Sequence, residues 1–260
     1  MLAAALLVLA QPAAEAMPPA APRTLAEDRL QLCLDRARND PTTAIVEADA
    51  WVSEASGAER SYPRQCLGMA YTVLLRWEAA EQAFLAAREV AGEMEHDRRA
   101  RLATMAGNAA LADQRDVAAL LALDVAAGDA EAAGDAGLRA MVEVDRARAL
   151  VQQGDTARAE TALAAARTFD PQSPYAWLLS ATLARRMGRL AEAQGFIETA
   201  AALSPNYPET GLEAGVIAML AGREDAARTS WEAVVRLEPQ SPEAATARGY
   251  LAQLEEDSAP

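Results

Sequence analysis

Three prolines, Pro171, Pro205 and Pro239, fall 34 residues apart, and the same interval separates Gly154, Gly188 and Gly222, and then Ala159, Ala193 and Ala227. Three residue types locked to one period mean that a single structural unit is being repeated. A period of 34 residues is the length of a helix–turn–helix unit that stacks into a solenoid. Such a unit cannot bury its apolar face alone. The chain is therefore expected to be one cooperative array and not several independent domains.

With each unit numbered from 1 to 34, the clearest copies are 140–173, 174–207 and 208–241. A first helix ends near the Gly at position 15, and a second runs from about position 17 to position 30, before the Pro at position 32. Gly supplies the turn without a Cβ penalty, and Pro can neither continue the second helix nor leave its predecessor helical. Unit 61–94 adds Leu67-Gly68-Met69-Ala70-Tyr71 in its first helix and Ala80, Phe84 and Ala87 in its second, and unit 174–207 carries Trp177 near its start. On these residues the chain resembles the tetratricopeptide repeat (TPR) family, whose signature runs W-x2-L-G-x2-Y, A-x3-F, P. The resemblance implies an all-α, right-handed superhelical solenoid.

The physical content of that signature is an alternation of bulk. Position 8 reads Gly68, Gly107, Ala147, Ala181 and Gly215, and position 20 reads Ala80, Ala119, Ala159, Ala193 and Ala227. Small residues there let two helices cross closely, while position 24 (Phe84, Leu123, Leu163, Ile197, Trp231) is expected to fill the wedge between units. Unit 100–133 lacks the proline and is bounded by insertions at 95–99 and 134–139, expected to lengthen helices or turns. Residues 25–58 read as a degenerate first unit, with Leu32 where a small residue belongs, and 242–255 as a capping helix. The expected organisation is a signal peptide at 1–16, a flexible lead-in at 17–24, the array at 25–255 and a polar tail at 256–260.

Composition narrows the chemistry. All 24 basic residues are Arg, which excludes a Walker A lysine, a Schiff-base lysine and a Ser–Lys dyad. A net charge of −14 repels phosphate backbones and anionic lipid headgroups, so neither nucleic acid nor a membrane surface is an expected partner. His96 is the single histidine, which rules out two-His zinc sites and most catalytic triads. The run Glu93-Met94-Glu95-His96-Asp97 reads as a solvated charged linker in preference to a metal site. No cofactor and no catalytic residue is expected.

Leu2 to Ala10 is an apolar run of signal-peptide length, too short to span a bilayer, and Ala14-Glu15-Ala16 offers a small-x-small cleavage site. No Arg precedes the run. The expected location is periplasmic or secreted, with no membrane insertion after cleavage, or cytoplasmic if the run is not a signal. Cys33 and Cys66 lie in the first helices of neighbouring units. In an oxidising compartment two readings stand side by side, a disulfide between them or two small buried apolar residues.

The resemblance also implies a concave surface lined by the first helices, with positions 2, 5, 9, 12 and 13 facing the groove. They place Tyr62, Gln65, Met69, Thr72 and Val73, then Arg101, Thr104, Asn108 and Leu111, on that surface. Val151, Gln152, Glu209 and Leu220 join them further along. The core of the expected partner site is Met141, Val144, Arg148, Tyr175, Leu178, Thr182, Arg185, Arg186, Leu212, Val216 and Met219. Apolar anchors interleaved with Arg suit an extended or helical peptide bearing a carboxylate. The competing reading buries several of these residues against neighbouring units. One branch of the family clamps chaperone tails with lysines and asparagines, and only Asn108 fits it here. The expected function is a non-enzymatic protein–protein interaction scaffold in a bacterial envelope. The alternatives are a structural protein that self-associates through its end units, and an enzyme or sugar binder of unfamiliar type. Trp51 and Trp231 sit at packing positions, which argues against a sugar platform.

Overall fold

The computed structural model describes residues 23–257, so the expected signal peptide and most of the lead-in lie outside the described residues. Among the described residues there are thirteen α-helices and no strand. The helices are α1 (Leu25–Asn39), α2 (Pro41–Glu54), α3 (Ser61–Val73), α4 (Trp77–Val90), α5 (His96–Ala112), α6 (Asp116–Ala133) and α7 (Ala136–Gln153). They continue with α8 (Thr156–Phe169), α9 (Pro174–Arg186), α10 (Leu190–Leu203), α11 (Pro208–Leu220), α12 (Glu224–Leu237) and α13 (Pro242–Asp257). Each helix packs on its chain neighbour, and α7 also touches α5 and α9, as α11 touches α9 and α13. This is an α-solenoid.

Local chemistry sets the helix limits. Thr24 and Glu27 form a capping box at α1, and the side chains of Asp40, Asp135, Asp155 and Ser173 cap α2, α7, α8 and α9. Pro41, Pro174 and Pro208 occupy first-turn positions, where no backbone N–H is needed. Gly154, Gly188 and Gly222 adopt positive φ at position 15 of their units. The same left-handed turn recurs one and two units earlier with the wrong residue type: Leu75 and Gln114 both sit at φ 57°. Repetition of the fold thus imposes on two L-residues a backbone conformation that costs each about 1–2 kcal/mol.

Packing follows the alternation of bulk. The five position-20 alanines are fully buried, and Phe84, Leu123, Leu163, Ile197 and Trp231 are at most 3% exposed. Each bulky side chain lies over position 8 of its own unit. A Cβ on Gly68 would meet Phe84 ring carbons at 2.5 Å, and one on Gly107 would meet Leu123 Cγ at 2.7 Å. The same side chains pack on the first helix of the next unit, as Phe84 does on Leu102 and Ala106 and Ile197 on Ile217. Phe84 and Trp231 require Gly beneath them, while Leu163 and Ile197 tolerate Ala147 and Ala181.

The insertions lengthen helices: α5, α6 and α7 have 17, 18 and 18 residues, against 13 or 14 in α8 to α12. α13 continues through Asp257, two residues into the segment assigned to the tail. The first unit departs most from expectation. Asp40 alone joins α1 to α2, ending one helix and capping the next. That short turn shifts α1, so Leu32 is 72% exposed and Cys33 faces the core. Cys33 and Cys66 are joined in a disulfide between α1 and α3, with Cα atoms 6.0 Å apart.

Candidate functional site

The face formed by the first helices carries a cleft of about 580 Å³ between α5, α7 and α9. Its floor is Ala147, Leu163 and Leu183, and its walls are Leu111 from α5, Arg148, Val151 and Gln152 from α7, and Leu179, Thr182 and Arg186 from α9. The floor exists because the small residue at position 8 lets α7 settle onto Leu163. Of the wall residues, those at positions 6, 9 and 13 (Leu179, Arg148, Thr182, Gln152 and Arg186) are turned by the helix period away from that crossing, whereas Leu111 and Val151, at position 12, lie about 40° from it.

Three of the expected partner-site residues, Arg148, Thr182 and Arg186, converge on this cleft. Others do not reach it. Val144 is 5% exposed and packs on Ala166 and Ala176; Leu178 is equally buried against Ala181, Ile197 and Ile217. The reason is angular. At 100° per residue, position 5 lies only about 60° from position 8, whereas positions 2, 9 and 13 lie about 100–140° away. Position 5 belongs to the helix interface. Leu212 and Val216 are half-buried against the Trp231 cluster. Met141, Tyr175 and Met219 remain exposed on the same helices.

The charges separate further. Asp145, 7% exposed, accepts hydrogen bonds from Asn108 Nδ2 and Arg148, each at 2.8 Å, and Arg148 also reaches Asn108 Oδ1 at 3.3 Å. A buried carboxylate left unpaired would be costly, so this guanidinium is committed. Arg185 donates to Glu213 Oε1 at 2.6 Å, tying α9 to α11. Arg186 is exposed in the cleft and makes no ion pair among the described residues. Of Arg148, Arg185 and Arg186 it is the guanidinium left available, and it sits beside Leu179 and Val151. The acids that sequence reasoning overlooked, Asp145 and Glu213, both occupy position 6 of their units, and that recurrence was the signal that could have found them.

At the other end, Tyr62 and Gln65 are engaged by Arg98, which donates to Gln65 Oε1 at 2.8 Å and lies 4.0 Å from the Tyr62 ring centre. Burial holds the Arg98 pKa below the usual guanidinium range and pushes the Tyr62 phenol up. This cluster fastens α5 to α3. Among the described residues no group of three His, Cys, Asp or Glu side chains is placed to hold a metal ion, and no helix is long and apolar enough to cross a membrane.

Residues 144–208 match the family model described as tetratricopeptide repeat. No curated protein sequence matches the chain. Among solved structures it is similar to PilF of Pseudomonas aeruginosa, at 18% identity and a TM-score of 0.64, covering 88% of this chain and 97% of that one. PilW, a widely conserved type IV pilus biogenesis factor, gives 16% identity and a TM-score of 0.67 over 86% of this chain and 99% of the other. YrrB, a TPR protein with an unusual peptide-binding site, gives 16% identity and a TM-score of 0.50 over 78% and 97%. At these identities the likeness establishes the fold.

Proposed function

We propose that this protein, built of tetratricopeptide repeats, is a non-enzymatic interaction scaffold that holds a peptide segment of a partner protein in the cleft between α5, α7 and α9. The observation that carries the reading is Arg186, an unpaired guanidinium exposed in a concave cleft walled by Leu111, Val151 and Leu179. A segment with an apolar anchor and a neighbouring carboxylate satisfies both features. YrrB lends support, as a protein of the same fold that has a peptide-binding site. Crosslinking in cells, followed by mass spectrometry of captured proteins, tests the reading with Arg186→Glu and Val151→Asp. Both variants should lose the partner captured by the unaltered chain while retaining full helicity. Capture unchanged by either would end this assignment.

The same reading places the protein in a bacterial cell envelope. The apolar run Leu2 to Ala10, the Cys33–Cys66 bridge and the likeness to PilW, a pilus biogenesis factor, support it. N-terminal sequencing of the native protein tests it, and Met1 intact on cytoplasmic material would refute it. A second reading, self-association through the first unit, draws on Leu32 and Val46, which are 72% and 69% exposed on α1 and α2. A monomeric mass at high concentration would exclude it.

A further inference from the structure

Unit 174–207 holds an indole in a surface slot. Trp177 Nε1 donates to the Pro171 carbonyl at 2.9 Å, and its ring lies 5.9 Å from Phe196 and 5.1 Å from the Arg167 guanidinium, which also bonds Ser180. One period later each member of this nest is replaced by something smaller or equal. Gly211 stands for Trp177, Ala201 for Arg167, Ser230 for Phe196 and Ala214 for Ser180, while Pro205 keeps the place of Pro171. All five line one open cleft of about 570 Å³ between the end of α10, the start of α11 and α12. Its wall also holds the Thr210 hydroxyl, 2% exposed by residue and without a hydrogen-bond partner among the described residues.

The geometry points to this cleft as a receptor slot for a tryptophan side chain of a partner protein, seated as Trp177 is seated one unit earlier, with the Pro205 carbonyl accepting the indole N–H. The neighbouring unit shows what the backbone frame accommodates, and the substitutions to Gly, Ala and Ser open it, while Tyr207, Thr210 and Val234 stand along its wall in place of Ser173, Ala176 and Ala200. An indole combines a large apolar face with one donor, which matches an apolar wall carrying one carbonyl at its mouth. Residues 1–22 and 258–260 contain no Trp, so the occupant is not one of those segments of the chain. The slot is distinct from the Arg186 cleft and does not depend on it.

Titration of the isotope-labelled full chain with N-acetyl-L-tryptophanamide tests the inference by amide chemical shifts. Saturable shifts centred on Gly211, Ala214 and Ser230 are expected, with Kd on the order of 1 mM for so small a probe. N-acetyl-L-alaninamide should produce none. Ser230→Phe supplies the counterpart of Phe196, the ring against which Trp177 packs, and should tighten binding about two- to tenfold. The double variant Gly211→Trp/Val234→Ala refills the slot from within and should abolish binding; the second change is needed because a Cβ at residue 211 would meet Val234 Cγ2 at 2.6 Å. Arg186→Ala should leave the titration unaltered. Absence of saturable shifts, shifts centred on α7 and α9, weaker binding by folded Ser230→Phe, or undiminished binding by folded Gly211→Trp/Val234→Ala would each overturn the proposal.

Discussion

Replacing Gly68 by Ala puts a methyl group where the Phe84 ring already lies. The new Cβ would stand 2.5 Å from Cδ1 and Cε1 and 2.8 Å from Cζ, roughly 1 Å inside an ordinary carbon contact of about 3.5–4.0 Å. Phe84 is 2% exposed and walled by Ala80, Ala87, Leu102 and Ala106, so the ring cannot swing aside. Overpacking of this kind costs about 1–3 kcal/mol, against about 0.5–1 kcal/mol gained by removing a helical glycine. A net loss of about 0.5–2 kcal/mol is expected, or a drop in Tm of a few degrees. Phe84→Leu alone leaves a void and should cost about 1–2 kcal/mol. Together the two changes reproduce the pairing already present at Ala147 and Leu163, both 2% exposed. The double variant should therefore be more stable than the sum of the singles by about 1–2 kcal/mol. Urea denaturation of the four proteins, followed by helical circular dichroism, measures that coupling. Gly128→Ala serves as control, because nothing lies within 4 Å of its added Cβ. Additivity to within about 0.5 kcal/mol would refute the idea that position 24 rests on position 8 of its own unit.

Leu75→Gly and Gln114→Gly should each stabilise the protein by roughly 0.5–1 kcal/mol, the left-handed penalty less glycine's greater freedom when unfolded, read as a higher Tm. Gly222→Ala should do the reverse, by about 1 kcal/mol. Reducing the Cys33–Cys66 bridge, whose partners are 33 residues apart, should cost about 3–4 kcal/mol by loop entropy, with faster amide exchange confined chiefly to α1 and α2. Hydrogen bonds from Thr24 and Thr43 hold the Glu27 and Asp40 carboxyls below their ordinary values of 4.5 and 3.8. Because the folded-state values are depressed, the stabilisation is full above those values and is lost as pH falls through the folded ones. Fraying of α1 and α2 should thus appear at acid pH, and Asp40→Asn should flatten that dependence in a pH series of hydrogen-exchange rates.

The helix limits were legible because the signals behind them are local. Second helices run over positions 17–30 in α8, α10 and α12, as Gly at 15 and Pro at 32 dictate, and over the same positions in α4, where Leu75 and Gly92 stand instead. The crossing residues were legible for the same reason, since bulk and its absence recur at fixed offsets. Where sequence reasoning went astray, the deciding quantity was non-local or angular. Leu32 was assigned to the crossing because the period alone does not record that Asp40 makes a one-residue turn. Val144 and Leu178 were placed in the groove by position, although their angle to the crossing residue turns them inward. Arg185 looked free to bind until Glu213, 28 residues away, was brought beside it. Leu75 and Gln114 conceal the same turn that glycine announces elsewhere.

The extra residues of α5, α6 and α7 all lie at one edge of the array. α5 and α7 are extended at their starts and α6 at its end, each by about four residues, or about 6 Å of rise. The opposite edge, where the left-handed turns lie, stays level. The trough thus has one lip with a raised parapet at its middle and one plain lip. On the proposed reading, a segment laid across the array would meet the parapet from one side only.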